Sequence, residues 1–263
     1  MILFVRGGAL GDFVLTLPAL AACFATGRRV DVACAPRHRP LVRLVGEPGR
    51  FWDLDGTESL WMFGGVDPVG YTDAVCFAEG RTELPIPTIH AVGSRPPARV
   101  PAWKHFMGAL PPGWPTPDPG LRLHAPPLRP DRPIVLAPGA SDSGRSWPLS
   151  EWFRLAETLR PHAPVVLVGG PSEPWAEYRP DLSELIRLAA SAGAWLGPDS
   201  GPTHLAARMG APTFAVFRTT DPGWAPYGAE IVQETVLDRA ESTTALVHRL
   251  LVARGCHRDY APV

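Results

Sequence analysis

The segment Gly197-Pro198-Asp199-Ser200-Gly201-Pro202-Thr203-His204 puts more turning and hydrogen-bonding residues in a row than a helix cap requires. Asp199 or Ser200 can cap a following helix, Gly201 lets the backbone approach a ligand, and Pro202 sets the first turn. The N–H groups of that turn form an anion site at the positive end of the helix dipole. His204 reads first as a packing or hydrogen-bonding residue. A second segment, Ala137 to Pro148, is a small, hydroxyl-rich turn with Ser141 that ends on Arg145. Backbone donors, hydroxyls and a guanidinium can converge there on a phosphate. Its plain alternative is a polar surface loop with Trp147 as a plug. Glu173 follows the apolar run Val165 to Val168 and is placed either to accept ribose hydroxyls or to sit solvated in a loop.

The third segment is Arg6-Gly7-Gly8-Ala9-Leu10-Gly11-Asp12, after the first apolar run. Its glycines, Gly11 included, allow a tight turn and close ligand approach. Asp12 opens the next helix, and the simplest role for a carboxylate there is to cap it. The loop is a poor dinucleotide fingerprint, because its spacing is GGxxG and Asp31 falls inside its strand. No GxxxxGK[ST] phosphate loop occurs. Arg37, His38 and Arg39 can meet an anion or form a solvated loop.

Alternating short apolar runs and helical patterns must carry these segments, which is the mark of parallel sheets flanked by helices. The first half predicts strands at Ile2 to Val5, Val30 to Ala35, Phe51 to Leu54, Ala74 to Phe77 and Thr88 to Val92. Its helices run from Asp12 to Ala25, Arg39 to Val45 and Ala102 to Leu110. A proline-dense stretch from Leu110 to Pro133 excludes helix and central strand. It reads as a linker with one short strand near Leu121 to His124. The second half predicts strands at Ile134 to Ala137, Val165 to Gly169, Ala194 to Gly197 and Thr213 to Phe217. Helices there cover Ser150 to Leu159, Leu182 to Ala192, Thr203 to Met209 and Asp238 to Ala253. The expected architecture is α/β, two Rossmann-like lobes with parallel sheets facing across a cleft, divided into residues 1–125 and 126–263.

The 263 residues are 45% hydrophobic and 19% charged, an ordinary globular balance that supports one or two self-sufficient cores. A net charge of −1 gives no bulk argument for nucleic acid as a partner. Cys23, Cys34, Cys76 and Cys256 have no metal-ligand spacing and read as free thiols. Arg6 and Asp12 interrupt the apolar start, which argues against a signal peptide. No apolar run reaches the ~18 residues of a spanning helix. The expected location is cytoplasmic, compatible with peripheral contact with the inner membrane.

Taken in order, ILFVRGGALGDFVLTLPALAA, LAPGASDSGRSWPLSEWFRLAETL, VVLVGGPSE and LGPDSGPTHLAARMGAPTFAVF resemble glycosyltransferase family nine, the heptosyltransferases, whose fold is called GT-B. The resemblance covers roughly the first 25 residues and most of 134 to 228. It implies inverting, metal-independent transfer of a sugar, typically heptose from ADP-heptose, to a lipopolysaccharide-type or other glycan acceptor. No cofactor is implied; the partners are a nucleotide-sugar donor and a glycan or lipid-linked glycan acceptor. Asp12 matches the family's catalytic base. Ser141 and Arg145 fall on its phosphate loop, where the family usually has lysine in place of Arg145. Glu173 falls on its ribose position, and Asp199, Ser200, Gly201, Thr203 and His204 on its diphosphate turn. The chain departs from the family in being short in its N-terminal lobe. Two other functions fit the same fold: a nucleotide-sugar epimerase or hydrolase, and a non-catalytic nucleotide-sugar-binding accessory protein. A nicotinamide oxidoreductase leaves the Gly197 to His204 turn unexplained.

Overall fold

The computed structural model of the chain describes residues 1–78, 84–233 and 240–255. They form two compact units, Met1–Leu121 and Arg122–Val263.

The first unit follows the order β1 (Ile2–Val5), α1 (Leu10–Ala25), β2 (Val30–Cys34), α2 (Arg39–Val45), β3 (Phe51–Asp53), β4 (Asp73–Phe77), β5 (Thr88–Val92) and α3 (Ala102–Met107). Its strands pair in parallel in the order β3-β2-β1-β4-β5. Strands covered on both faces need near-continuous apolar sequence, and the run Ile2-Leu3-Phe4 is accordingly buried. Helix α1 buries Phe13, Leu17, Leu20 and Cys23, so the apolar start of the chain is a strand and helix of this core. Asp31, the acidic residue that falls inside β2, is fully buried and structural. It pairs with Arg29 at 3.0 Å and accepts the Tyr71 hydroxyl at 2.6 Å, while Trp52 Nε1 donates to that hydroxyl at 2.8 Å. Cys23, Cys34 and Cys76 are free and buried, and burial pushes each thiol up to about 12. Cys256 lies outside the described residues.

The second unit comprises β6 (Ile134–Leu136), α4 (Leu149–Leu159), β7 (Val165–Leu167), α5 (Leu182–Ser191), β8 (Ala194–Pro198), α6 (Gly201–Arg208), β9 (Thr213–Phe217), β10 (Glu230–Gln233) and α7 (Ala240–Arg254). Its parallel strand order is β10-β9-β8-β6-β7. Trp147, Trp152, Leu155, Leu159, Leu196, Phe214, Val216, Leu246 and Leu250 share one core. Each such side chain contributes about 1.5–3 kcal/mol by leaving water.

Two differences from the sequence expectation have physical causes. Leu121 to His124 is not a strand: the Leu123 N–H donates to the Arg208 carbonyl at 2.9 Å and the chain runs on irregularly between prolines. The sequence does not predict strand β10, because Glu230-Ile231-Val232-Gln233 has only two apolar residues and, among the described residues, is an edge strand paired with β9. Of the last predicted helix, Asp238 and Arg239 lie outside the described residues.

The strand orders decide where a ligand can enter. In an open parallel sheet it binds beyond the carboxyl ends, where the chain's winding reverses direction. That point lies between β1 and β4 in the first sheet and between β6 and β8 in the second. All three segments singled out above leave strands at these points: Arg6 to Asp12 leaves β1, Ala137 to Pro148 leaves β6, and Asp199 to His204 leaves β8.

Candidate functional site

In the second unit Arg145, Asp199 and His204 come together. Arg145 closes a short 3-10 turn, Ser143–Arg145, and its Nη1 stands 3.5 Å from Asp199 Oδ2. The other Asp199 oxygen is 3.0 Å from His204 Nε2. Asp199 and His204 are buried, whereas the Arg145 side chain is 37% exposed. The Asp199 carboxylate is thus engaged by Arg145 and His204 and does not cap α6. Ser200, the N-cap residue, does not cap it either: its hydroxyl lies 3.2 Å from Thr203 Oγ1 and makes no cap bond to the helix. Gly201 and Thr203 therefore keep N–H groups directed out of the helix start, with Arg145 beside them. That arrangement can receive an anion of two phosphates.

Gly197 allows the helix to sit so close. A Cβ at that position would lie 2.3 Å from Thr203 Oγ1 and 3.1 Å from the Ala137 carbonyl oxygen. Glu173 reaches the same edge of the sheet. Its carboxylate accepts the Gly170 N–H, and it would be 2.9 Å from a Cβ on Gly139, so it links the loops after β6 and β7. Arg179 holds the Glu173 carbonyl through two bonds of 2.9 and 2.8 Å. Ser141 is exposed at the tip of its loop. Trp147 is a core residue, 5.0 Å from Trp152 between ring centroids, and Trp152 Nε1 donates to the Ser146 hydroxyl at 3.0 Å. The loop after β6 is thus anchored from below at Ser146 and Trp147, next to Arg145.

In the first unit Gly11 and Asp12 begin α1. Asp12 stands at the third position of the helix, and its Oδ2 accepts the Ala9 N–H at 3.2 Å. Its Oδ1 lies 3.6 Å from Arg6 Nη2, and the side chain is 35% exposed. Asp12 therefore serves partly as a cap and still presents its carboxylate to solvent. Gly8 makes the turn with φ of 90°, where a Cβ would be strained and would press on Asp12 Oδ2 at 3.0 Å. His38 is fully buried, stacked on Phe13 at 4.5 Å, and among the described residues neither ring nitrogen has a hydrogen-bond partner. Burial, with repulsion from Arg37 and Arg6 behind it, pushes His38 down to about 4. Arg37 is tied to the Gly8 carbonyl at 3.1 Å, and Arg39 lies over the Phe51 ring.

Two arginines join the site that were not among its candidate residues. Arg6 directly follows β1 and is buried against Asp12. Arg218 directly follows β9 and donates to the Ser146 carbonyl at 2.7 Å, beside Arg145. The available signal was a cation placed immediately after an apolar strand. Among the described residues, no group of His, Cys, Asp and Glu could hold a metal ion, and no helix is long and apolar enough to cross a membrane.

Residues 119–246 match the profile of "Glycosyltransferase family 9 (heptosyltransferase)". Among solved structures the chain is similar to the ADP-heptose lps heptosyltransferase II of E. coli, with a TM-score of 0.70 and 17% identity over 97% of this chain and 98% of that one. It is also similar to E. coli heptosyltransferase WaaC with ADP, with a TM-score of 0.67 and 15% identity over 95% and 99%. The iron-containing dodecameric glycosyltransferase TibC of enterotoxigenic E. coli H10407 aligns with a TM-score of 0.57 and 17% identity, over 88% of this chain and 61% of that one. No curated protein sequence matches the chain. At these identities the structures establish the fold, which is GT-B.

Proposed function

We propose, from the match of residues 119–246 to glycosyltransferase family 9, that the chain is a member of that family and transfers a heptose from ADP-heptose to a lipopolysaccharide-type glycan acceptor, with inversion and without a metal. The observation that carries this reading is the uncapped start of α6 beside Arg145, at the point where the second sheet's winding reverses. Open N–H groups, a helix dipole and a guanidinium match a diphosphate that gains charge as it departs. The structural likeness to heptosyltransferases, one solved with ADP, supports an adenine nucleotide and a heptose.

Each residue then has a role. The Gly201 and Thr203 N–H groups and Arg145 hold the diphosphate, and Ser141 is the further hydroxyl of the phosphate loop. Asp199 orients Arg145 and His204, and Glu173 accepts the ribose hydroxyls. Asp12, in the first unit, takes the proton of the acceptor hydroxyl. The acceptor oxygen forms a bond to C1 as the bond from C1 to the diphosphate oxygen breaks, leaving ADP. The reacting carbon has oxocarbenium character, so stabilising the leaving group does most of the work. Arg145 and the helix start supply that charge in place of a metal. Gly11 keeps the backbone clear beside Asp12. The enzyme would work in the cytoplasm, in peripheral contact with the inner membrane where its acceptor is held.

A nucleotide panel with a turnover assay tests this reading. ADP should raise the melting temperature more than GDP, UDP or dTDP, because stabilisation follows ligand excess over its Kd. ADP release from ADP-heptose should require heptose-deficient lipopolysaccharide. Prompt ADP release without acceptor would replace transfer with hydrolysis, and conversion of the sugar with ADP still attached would replace it with epimerisation. Asp12→Asn should lower kcat by about 10²–10⁴-fold with donor affinity nearly unchanged; full activity in that variant would remove Asp12 from the chemistry.

A further inference from the structure

Resting on the assignment of Asp12 as base, we propose that Arg6 is the positioning residue that sets the rotamer of the Asp12 carboxylate. Arg6 is 2% exposed, at the carboxyl end of β1 where the first sheet's winding reverses. Burying a guanidinium is costly unless its donors are met, and an apolar side chain of similar volume usually fills such a place at less cost. What distinguishes Arg6 is where its donors go. Nη2 faces Asp12 Oδ1 at 3.6 Å and Nε donates to the Asp12 carbonyl at 3.3 Å, so one guanidinium holds residue 12 by side chain and main chain. Nη1 donates to the Phe77 carbonyl at 3.2 Å, which ties the group to the end of β4 across the winding reversal. The Phe106 and Phe77 rings lie 5.0 and 5.7 Å from the guanidinium carbon and fix its plane.

With the Ala9 N–H donating to Oδ2 and the Arg6 guanidinium paired with Oδ1 at 3.6 Å, each carboxylate oxygen faces a fixed partner. The carboxylate is held in one orientation while 35% of the side chain stays open to an acceptor. A base must be within hydrogen-bond reach of the proton it takes, and a displacement of about 1 Å can cost about 10²-fold in rate. Burial lowers the proton affinity of Arg6 and the Asp12 charge opposes that effect, so the pair is also electrostatically linked.

The test measures kcat, donor KM and thermal melting for the wild-type chain, Arg6→Met, Arg6→Lys, Asp12→Asn and the Arg6→Met/Asp12→Asn double variant. Substrates are ADP-heptose and heptose-deficient lipopolysaccharide, with ADP release as the readout. Arg6→Met should lose about 10²-fold in kcat with donor KM changed less than about twofold. Arg6→Lys, which keeps the charge but not the fork, should recover about tenfold of that loss. The double variant should be no slower than Asp12→Asn, because a residue acting through Asp12 has nothing left to position. A folded Arg6→Met with wild-type kcat, or losses that multiply in the double variant, overturns the inference. If Asp12→Asn is inactive while Arg6→Met is not, only the role of Arg6 falls. If Asp12→Asn turns over normally, or the wild type does not turn over at all, the proposed function falls and takes this inference with it. Should Arg6→Met fail to fold, Arg6→Lys decides by the same two readouts, kcat against donor KM and coupling to Asp12→Asn.

Discussion

Gly197→Ala should separate the close seat of α6 from the chemistry around it. The added methyl carbon would stand 2.3 Å from Thr203 Oγ1, 3.1 Å from the Ala137 carbonyl oxygen and 3.4 Å from Trp195 Nε1. Non-bonded heavy atoms prefer about 3.5 Å, so the contact with Thr203 is more than about 1 Å too short. Thr203 and Trp195 are fully buried and cannot swing away into solvent. The helix start must therefore lift off the sheet, at an overpacking cost of about 1–3 kcal/mol. For a cooperative unit the size of Arg122–Val263, about 2 kcal/mol lowers the melting midpoint by roughly 4–8 °C. The lifted helix also turns its N–H groups from the anion, so ADP affinity should fall at least about tenfold, or about 1.4 kcal/mol. Differential scanning calorimetry with and without ADP, with isothermal titration, measures both effects. Adding Thr203→Ala removes the 2.3 Å contact and should restore most of the melting temperature. A Gly197→Ala variant that melts and binds ADP like the wild type would refute the reasoning, as would a double variant no more stable than the single one.

Other expectations are independent of that turn. Burial alone would raise the Asp73 carboxyl, but hydrogen bonds from Arg28, His90 and Thr72 outweigh it and hold it at about 2. A depressed carboxyl stabilises the fold above its unfolded pKa and loses that effect as pH falls toward the folded one. Asp73→Asn should therefore cost about 1–2 kcal/mol at pH 6 in urea unfolding, with the difference shrinking from about pH 4 toward pH 2. His38 is the opposite case: its folded form resists protonation, so stability drains away as pH falls from about 6.5 toward 4. His38→Phe, which keeps the stack on Phe13 and removes two unpaired nitrogens, should stabilise the chain by about 1 kcal/mol at pH 7 and by more at pH 5. Arg145→Ala should weaken ADP binding about tenfold or more, and Arg145→Lys by less, in isothermal titration.

Most of the α/β series is legible in the sequence because fully covered parallel strands must be continuously apolar. Ile2 to Val5 and Thr213 to Phe217 were read to the residue for that reason. Where one strand edge is unpaired, as in β10, two apolar residues suffice and no pattern stands out. Leu121 to His124 shows the converse: alternation beside prolines suggests a strand, but pairing requires a neighbour, and its backbone meets the Arg208 carbonyl instead. The three loops were conspicuous because glycine, hydroxyl and charged residues follow apolar strands there without a local packing reason.

What the sequence by itself determined is the kind of element each residue enters, since apolar periodicity, proline and glycine act over a few neighbouring positions. It also marked Asp12, Ser141, Arg145, Glu173 and Asp199 to His204 as candidates, although it could not say which of them touch. Contacts between residues far apart in the chain were decided by tertiary structure alone. Strand order puts the loops after β6 and β8 side by side, and so brings Arg145 to Asp199 at 3.5 Å. The Asp199 carboxylate is shared between Arg145 and His204, and the N-cap Ser200 makes no side-chain cap bond to α6. Strand order also lays Arg6, met first as a break in an apolar run, across the ends of β1 and β4 onto Asp12. A buried charge must find its partners in three dimensions, and only the assembled sheet determines which partners are within reach.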